Sequence, residues 1–494
     1  MHKQISPKFR ALMLSGVVMV FALLIVQVSM ISATAPPQQG QKDTPVPPTP
    51  AIATNLTATE AYDLGLDAYD AANYQEAYDY FATAIEIDSG YAAAFYMRGL
   101  SSAAQGNNVE AIVDYANAIE NDYDRLDYAY YARALLYYNL GEYAQALNDY
   151  TVSIEENPNY TNAYYNRGLV YYQIGDYENA IADYGEAIRL DPGYTFAYYN
   201  RGLSYEELLD FERAITDYET AVTLDPVYTR GWVRLGIVYS DLELYDAAIE
   251  NFDEAIALSP QLDYIYTNRG LAYYYLGEYE PALEDYNRAL ERNDGFEDWI
   301  IYNNRGLVYY ELEDYQNALD DFDIALTSNP EYAVAYNNRG LTYYELEDYE
   351  RAIADYDLAI TYNASYARAF RNRGLAYEAL DDLETALVDY TSAVQFDPEY
   401  TSAWIDQGNA NVDLGNFTDA ILSYASVLEY DPEYSDAYWG LGNAYYGQEL
   451  YEQALSNYQT YVALVGEPAD FVLERIEAIE NGEYETDSTP IPPK

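Results

Sequence analysis

Apolar residues recur along this chain with helical spacing, and the helical pattern itself returns every 34 residues. The stretch AYYNRGLVYYQIGDYENAIADYGEAIRLDPGY begins at Ala163. Shifted by 34 it meets AYYNRGLSYEELLDFERAITDYETAVTLDPVY, beginning at Ala197. Apolar positions grouped at intervals of three and four predict amphipathic helices, whereas strands would show alternation. The same frame covers about 58–468 as twelve units, starting near Ala58, Ala92, Asp127, Thr161, Thr195, Thr229, Asp263, Trp299, Ala333, Ala367, Thr401 and Ser435. One extra residue precedes Asp127 and two precede Trp299; both insertions fall at unit ends, where a loop absorbs them.

Within a unit the small and large residues keep fixed places. Position 8 is glycine or alanine, as in Gly168, Gly202 and Ala134, and position 20 is alanine throughout, as in Ala77, Ala180 and Ala454. Small residues at both places let two antiparallel helices approach closely. An aromatic fills position 24, for example Phe81, Tyr184 and Phe322, and proline at position 32 (Pro192, Pro226, Pro260) ends the second helix.

These positions resemble the tetratricopeptide repeat (TPR) family. Its pattern is an aromatic at 4, Gly or Ala at 8, Tyr at 11, Ala at 20, an aromatic at 24, Ala at 27 and Pro at 32. Tyr164, Gly168, Tyr171, Ala180, Tyr184, Ala187 and Pro192 match each place. The first unit departs, with Ala61 and Ala68 at positions 4 and 11, and so does the last, with Tyr461 at 27. Terminal repeats are expected to be atypical. The resemblance implies an all-α solenoid of helix-turn-helix units wound as a right-handed superhelix. After the last unit, 469–482 reads as an amphipathic capping helix.

One pair of positions departs from the family habit of leucine at 7. Eight units carry Arg there and Asp at 23: Arg98/Asp114, Arg133/Asp149, Arg167/Asp183, Arg201/Asp217, Arg269/Asp285, Arg305/Asp321, Arg339/Asp355 and Arg373/Asp389. The other four carry Leu64/Tyr80, Leu235/Asn251, Gln407/Ser423 and Leu441/Asn457. A turn near position 15 brings 7 and 23 to similar heights on antiparallel helices. An ion pair inside each of the eight units is therefore expected.

In the family the first helix of each unit lines the inner groove. Position 6 there is asparagine in six units: Asn166, Asn200, Asn268, Asn304, Asn338 and Asn372. Its amide can pair with both polar groups of a peptide bond. Such a row is similar to the asparagine ladder of the superhelical repeats attached to O-linked sugar transferases. Tyr165 and Tyr199 at position 5, with Tyr172, Tyr274, Tyr310 and Tyr344 at position 12, are expected to flank it. The alternative is that these asparagines are polar residues copied with the repeat. A second candidate is the carboxylate clamp of chaperone-binding TPR domains. Asn200, Arg230 and Arg234 match three of its places, but Tyr165 and Leu169 stand where its Lys and Asn belong.

The ends differ in composition. His2, Lys3, Lys8 and Arg10 precede an uncharged apolar run from Ala11 to about Ala33, long enough for a bilayer core of about 20 residues. We expect a signal or transmembrane anchor over 1–35, a Pro-rich linker over 36–57, the repeats over 58–468 and a disordered tail over 483–494. Positive charge before the apolar run places the repeats outside the cytoplasm; cleavage near Ala33-Thr34-Ala35 would instead release a secreted protein.

Composition then removes several functions. The chain has no cysteine, a single histidine (His2) and a net charge of −59. That excludes thiolate chemistry, His-based metal sites and Ser-His catalysis. It also disfavours phosphate-bearing partners, so no nucleic acid is expected. No phosphate loop or nucleophile elbow is present, and no cofactor or enzymatic activity is expected. The expected function is a tethered scaffold binding a neutral or basic protein or peptide; the alternative is glycan binding by groove tyrosines.

Overall fold

The computed structural model describes residues 56–292, 298–466 and 468–482. Among them all regular structure is α-helical, in twenty-five helices running from Ala58–Asp70 to Asp470–Asn481. They divide into two compact units, with the boundary in sequence between Pro260 and Gln261. The apolar run at 11–33, most of the proline-rich linker and the tail from 483 lie outside the described residues. No helix among the described residues is long and apolar enough to cross a membrane.

The repeat beginning at Thr161 shows how sequence makes the hairpin. Its first helix is Thr161–Gln173 and its second Tyr177–Leu190. Gly175 takes the left-handed turn conformation (φ 79°), which glycine adopts without a Cβ penalty. Asp176 then caps the second helix, its carboxylate accepting from Asn179 N at 3.3 Å. Elsewhere Leu209, Glu243, Glu313 and Glu347 hold the same turn at φ 57–60° without glycine. The packing of the hairpin holds them there against a local cost of about 1 kcal/mol each.

The link to the next repeat is also local. Pro192 cannot continue the helical bonding. The Asp191 carboxylate accepts from Gly193 N at 3.0 Å, and Tyr194 N donates to the Asp191 carbonyl at 3.1 Å. The chain therefore turns within three residues and starts the next first helix at Thr195.

Close packing follows from the small residues. The alanine at position 20 is fully buried in all twelve repeats, for example Ala77, Ala214, Ala318 and Ala454. At Gly168, Gly202 and Gly340 a Cβ would lie 2.7 Å from the ring of Tyr184, Tyr218 or Tyr356. The position-24 ring packs directly against bare backbone, and burying such a ring contributes about 2–3 kcal/mol. Within each compact unit a second helix followed by another repeat packs between two first helices, as Tyr177–Leu190 does between Thr161–Gln173 and Thr195–Glu207. Successive first helices also touch, as Thr161–Gln173 does Thr195–Glu207, whereas no second helix makes comparable contact with the next one among the described residues. Within each compact unit the first helices are thus the shorter, inner layer. The last helix, Asp470–Asn481, sets Val472 and Ile479 against Trp439 and Tyr458.

Candidate partner-binding face

The eight Arg/Asp pairs each form a two-pronged bridge. Arg167 donates from Nε to Asp183 Oδ2 at 2.7 Å and from Nη2 to Oδ1 at 2.8 Å. The same fork joins Arg98 to Asp114, Arg133 to Asp149, Arg201 to Asp217, Arg269 to Asp285, Arg305 to Asp321, Arg339 to Asp355 and Arg373 to Asp389, at 2.6–2.7 Å for the shorter prong. The guanidinium also lies 5.8 Å from the Tyr164 ring and 5.9 Å from the Tyr171 ring. Burial lifts the Asp183 carboxyl above its ordinary range, and Arg167 offsets only part of that. Burial likewise disfavours the Arg167 cation, but Asp183 outweighs it and raises the guanidinium. Two short donors on one carboxylate favour the ionised form, so the raised carboxyl records the desolvation penalty. The fork fixes geometry more than it adds net stability.

The third guanidinium nitrogen ties one repeat to the one before. Arg167 Nη1 reaches Thr151 Oγ1 at 3.1 Å, Arg305 Nη1 reaches Asn287 Oδ1 at 2.5 Å, and Arg339 Nη1 reaches Asp323 Oδ1 at 2.6 Å. Gln407 repeats the arrangement without charge, accepting from Ser423 and donating to Thr391. At Arg201 the corresponding residue is Gly185, whose Cβ would lie 3.8 Å from Nη1 with nothing else near. Gly185→Asp should raise stability by about 1–2 kcal/mol, from removing a mid-helix glycine and adding a partly exposed bridge. Urea unfolding beside Gly185→Ala separates the two contributions; an aspartate no better than the alanine contradicts the bridge.

The asparagines do not present a free ladder. Asn200, Asn268, Asn304, Asn338 and Asn372 are buried, and only Asn166 is half-buried. Four of the amides bond to position 5 of the preceding repeat. Asn166 Nδ2 donates to Tyr131 Oη at 2.7 Å and Asn200 Nδ2 to Tyr165 Oη at 2.9 Å. Asn338 Nδ2 donates to Asn303 Oδ1 at 3.0 Å and Asn372 Nδ2 to Asn337 Oδ1 at 2.9 Å. The physical reason is the close approach of successive first helices, which turns position 6 into the joint between them. Asn268 Nδ2 and Asn304 Nδ2 are buried without a hydrogen-bond partner. Tyr165 and Tyr199 belong to the same joint: Tyr165 packs on Tyr184 and Tyr194, and Tyr199 is buried.

The clamp candidates are also engaged. Arg234 donates to Glu206 Oε1 at 3.2 Å, and Tyr218 donates to the other oxygen at 2.6 Å. Arg234 is therefore not an open carboxylate receptor. Arg230 is half-buried; burial raises the neighbouring Tyr228 hydroxyl, and Arg230 offsets only part of that rise.

Asp241, the last residue of the helix Thr229–Asp241, shares this cluster. Burial, then the Glu206 carboxylate, push its carboxyl up to about 7 against the pull of Arg234; a helix C-terminus also disfavours negative charge. The folded protein then holds a proton there that the unfolded chain releases near pH 4. Stability from this group is present at low pH and is lost as pH rises from about 4 to 7. Asp241→Asn should flatten that part of the pH dependence of the thermal midpoint. Parallel curves for variant and parent would exclude the assignment.

Tyrosines at positions 12 and 17 stay half-exposed beside the inter-helix turn. They pair edge-to-face or tilted at 5.3–6.0 Å, as Tyr172–Tyr177, Tyr274–Tyr279, Tyr310–Tyr315 and Tyr344–Tyr349. The spacing of five residues across a fixed turn carries this pairing. Among the described residues no group of three or more His, Cys, Asp or Glu side chains is placed to hold a metal ion.

Family models described as "Tetratricopeptide repeat" match residues 161–194, 195–228, 264–296 and 299–332, and also 62–125 and 405–468. One described as "TPR repeat" matches 134–175, 241–277 and 340–381. A comparison with curated proteins gives no match. Similar solved structures include the MamA protein, 26% identical over 34% of this chain and 92% of that one, TM-score 0.33. YrrB, described as a TPR protein with an unusual peptide-binding site, is 25% identical over 40% of this chain and 99% of that one, TM-score 0.35. Yeast Tom70 is 16% identical over 86% and 95%, TM-score 0.43. With helix hairpins every 34 residues and models of one repeat type matching along the array, this chain belongs to the tetratricopeptide repeat family.

Proposed function

We propose that this chain is a non-catalytic scaffold that binds a protein or peptide segment along the inner layer of first helices. TPR arrays are generally scaffolds for protein–protein interaction. The observation that carries the reading is the recurrence of half-exposed tyrosines with exposed carboxylates on the same layer, in register with the repeat. A surface copied in register suits an extended partner that runs along it. Photo-crosslinking residues at Phe196 and Glu345, on first helices, test it against Val113 and Leu422, exposed on second helices. A partner captured from the first pair alone supports the inner layer. Capture from the second pair alone contradicts it.

The tether belongs to the same proposal. Residues 11–33 form an uncleaved anchor that holds the repeats on the extracytoplasmic side, supported by the length of the apolar run and the basic residues before it. Alkaline carbonate extraction tests it: the full chain stays with the membrane pellet, and release into the supernatant defeats the anchor.

A further inference from the structure

We propose that three cation-binding boxes, at the edge of the inner layer beside the inter-helix turns, take lysine or arginine side chains of a basic polypeptide. The inference rests on the inner-layer reading above and names its partner's chemistry. Each box joins a position-12 tyrosine, the position-17 tyrosine of the same repeat and the position-13 glutamate of the next. Tyr172 and Tyr177 meet with ring centroids 5.5 Å apart at 61°, and both hydroxyls donate to Glu207, each at 3.4 Å. Tyr274 and Tyr279 meet at 6.0 Å, with Tyr274 donating to Glu311 at 3.2 Å and Tyr279 bonded to the same carboxylate. Tyr310 and Tyr315 meet at 5.9 Å, with Tyr310 donating to Glu345 at 3.3 Å.

Three features suit a cation. The rings are half-exposed and the glutamates exposed, so a side chain can reach them. A carboxylate has about four lone-pair sites; the tyrosine bonds use up to two and fix its position, leaving the rest to accept from an ammonium or guanidinium. Aromatic faces attract the same cation. The chain already pairs this class of ring with a cation internally: Arg213 lies 4.4 Å from the Tyr205 ring and Arg351 4.4 Å from the Tyr343 ring. With a net charge of −59, the field around the boxes draws basic partners and repels acidic ones. Tyr138–Tyr143 is a built-in contrast, because the residue in the glutamate place is Gln173.

Fluorescence anisotropy of the full chain with a short labelled Lys-Gly-Ser peptide tests this, beside the same peptide with glutamine for every lysine. At about 0.15 M salt, where diffuse attraction is screened beyond about 8 Å, the lysine peptide should bind and the glutamine peptide should not. The triple variant Glu207→Gln, Glu311→Gln, Glu345→Gln should weaken binding about tenfold or more. Glu250→Gln, Glu254→Gln, Glu331→Gln removes the same charge from exposed positions outside the boxes and should change it less than twofold. Tyr177→Leu, Tyr279→Leu, Tyr315→Leu should weaken it as well, with circular dichroism confirming the fold. Equal weakening by both glutamine triples overturns the boxes and leaves the inner-layer reading intact. Failure of the lysine peptide to bind overturns the cation proposal, and crosslinking from Phe196 and Glu345 then decides the inner-layer reading separately.

Discussion

Arg167→Leu should destabilise the protein by about 3–5 kcal/mol, and adding Asp183→Leu to it should restore most of that loss. The single change leaves Asp183 buried and ionised, with only 6% of its side chain exposed and no fork to satisfy it. An uncompensated buried charge is among the costliest defects a fold can carry. The double change removes both charges and places two apolar side chains between Tyr164 and Tyr171. Lysine at 167 should not substitute, because an ammonium cannot donate two parallel bonds to one carboxylate. Urea denaturation of the three variants checks this. A small, equal effect of the single and double changes would show that the fork is ornamental. Effects should stay near the altered repeat, since each repeat contacts mainly its neighbours.

Gly340→Val should cost about 3 kcal/mol or more, because a Cβ at this place falls 2.7 Å from a Tyr356 ring that is completely buried. Overpacking of this kind typically costs about 1–3 kcal/mol, and a β-branched residue adds helix strain. Gly340→Ala should be milder. Ala134 occupies the same position above Tyr150, so the hairpin can open enough for one carbon. Gly340→Val combined with Tyr356→Leu should recover part of the loss. Thermal unfolding of the series tests the graded order; equal midpoints for alanine and valine would mean that the ring is not the obstacle.

Much of the fold was legible in the sequence because a period of 34 is sampled twelve times. Gly168, Ala180 and Pro192 each state a local demand, for close approach or for a stop; the small residues recur in every unit and the proline in seven of them. The Arg/Asp pairs were legible for the same reason, since two positions vary together and a hairpin turn puts them level. The site was read less well. Asn338 and Asn372 share a face with the expected groove, and helical periodicity alone cannot tell a groove from the joint between neighbouring helices. That distinction depends on how closely successive first helices approach, which is a property of the stacked array and not of one repeat. Arg234 is engaged within the array for a similar reason. Its neutralising partner, Glu206, lies 28 residues back, in a repeat where position 12 is glutamate and not the usual tyrosine.

The measurement that separates architecture from working surface is Asn338→Ala, followed on two readouts in one preparation. Loss of the Asn303 bond across the joint should lower the unfolding midpoint by an amount equivalent to about 1–2 kcal/mol, while crosslinking of a partner from Glu345 should keep its yield. An unchanged midpoint with lost crosslinking would return the asparagines to the ligand and contradict the division proposed for this array.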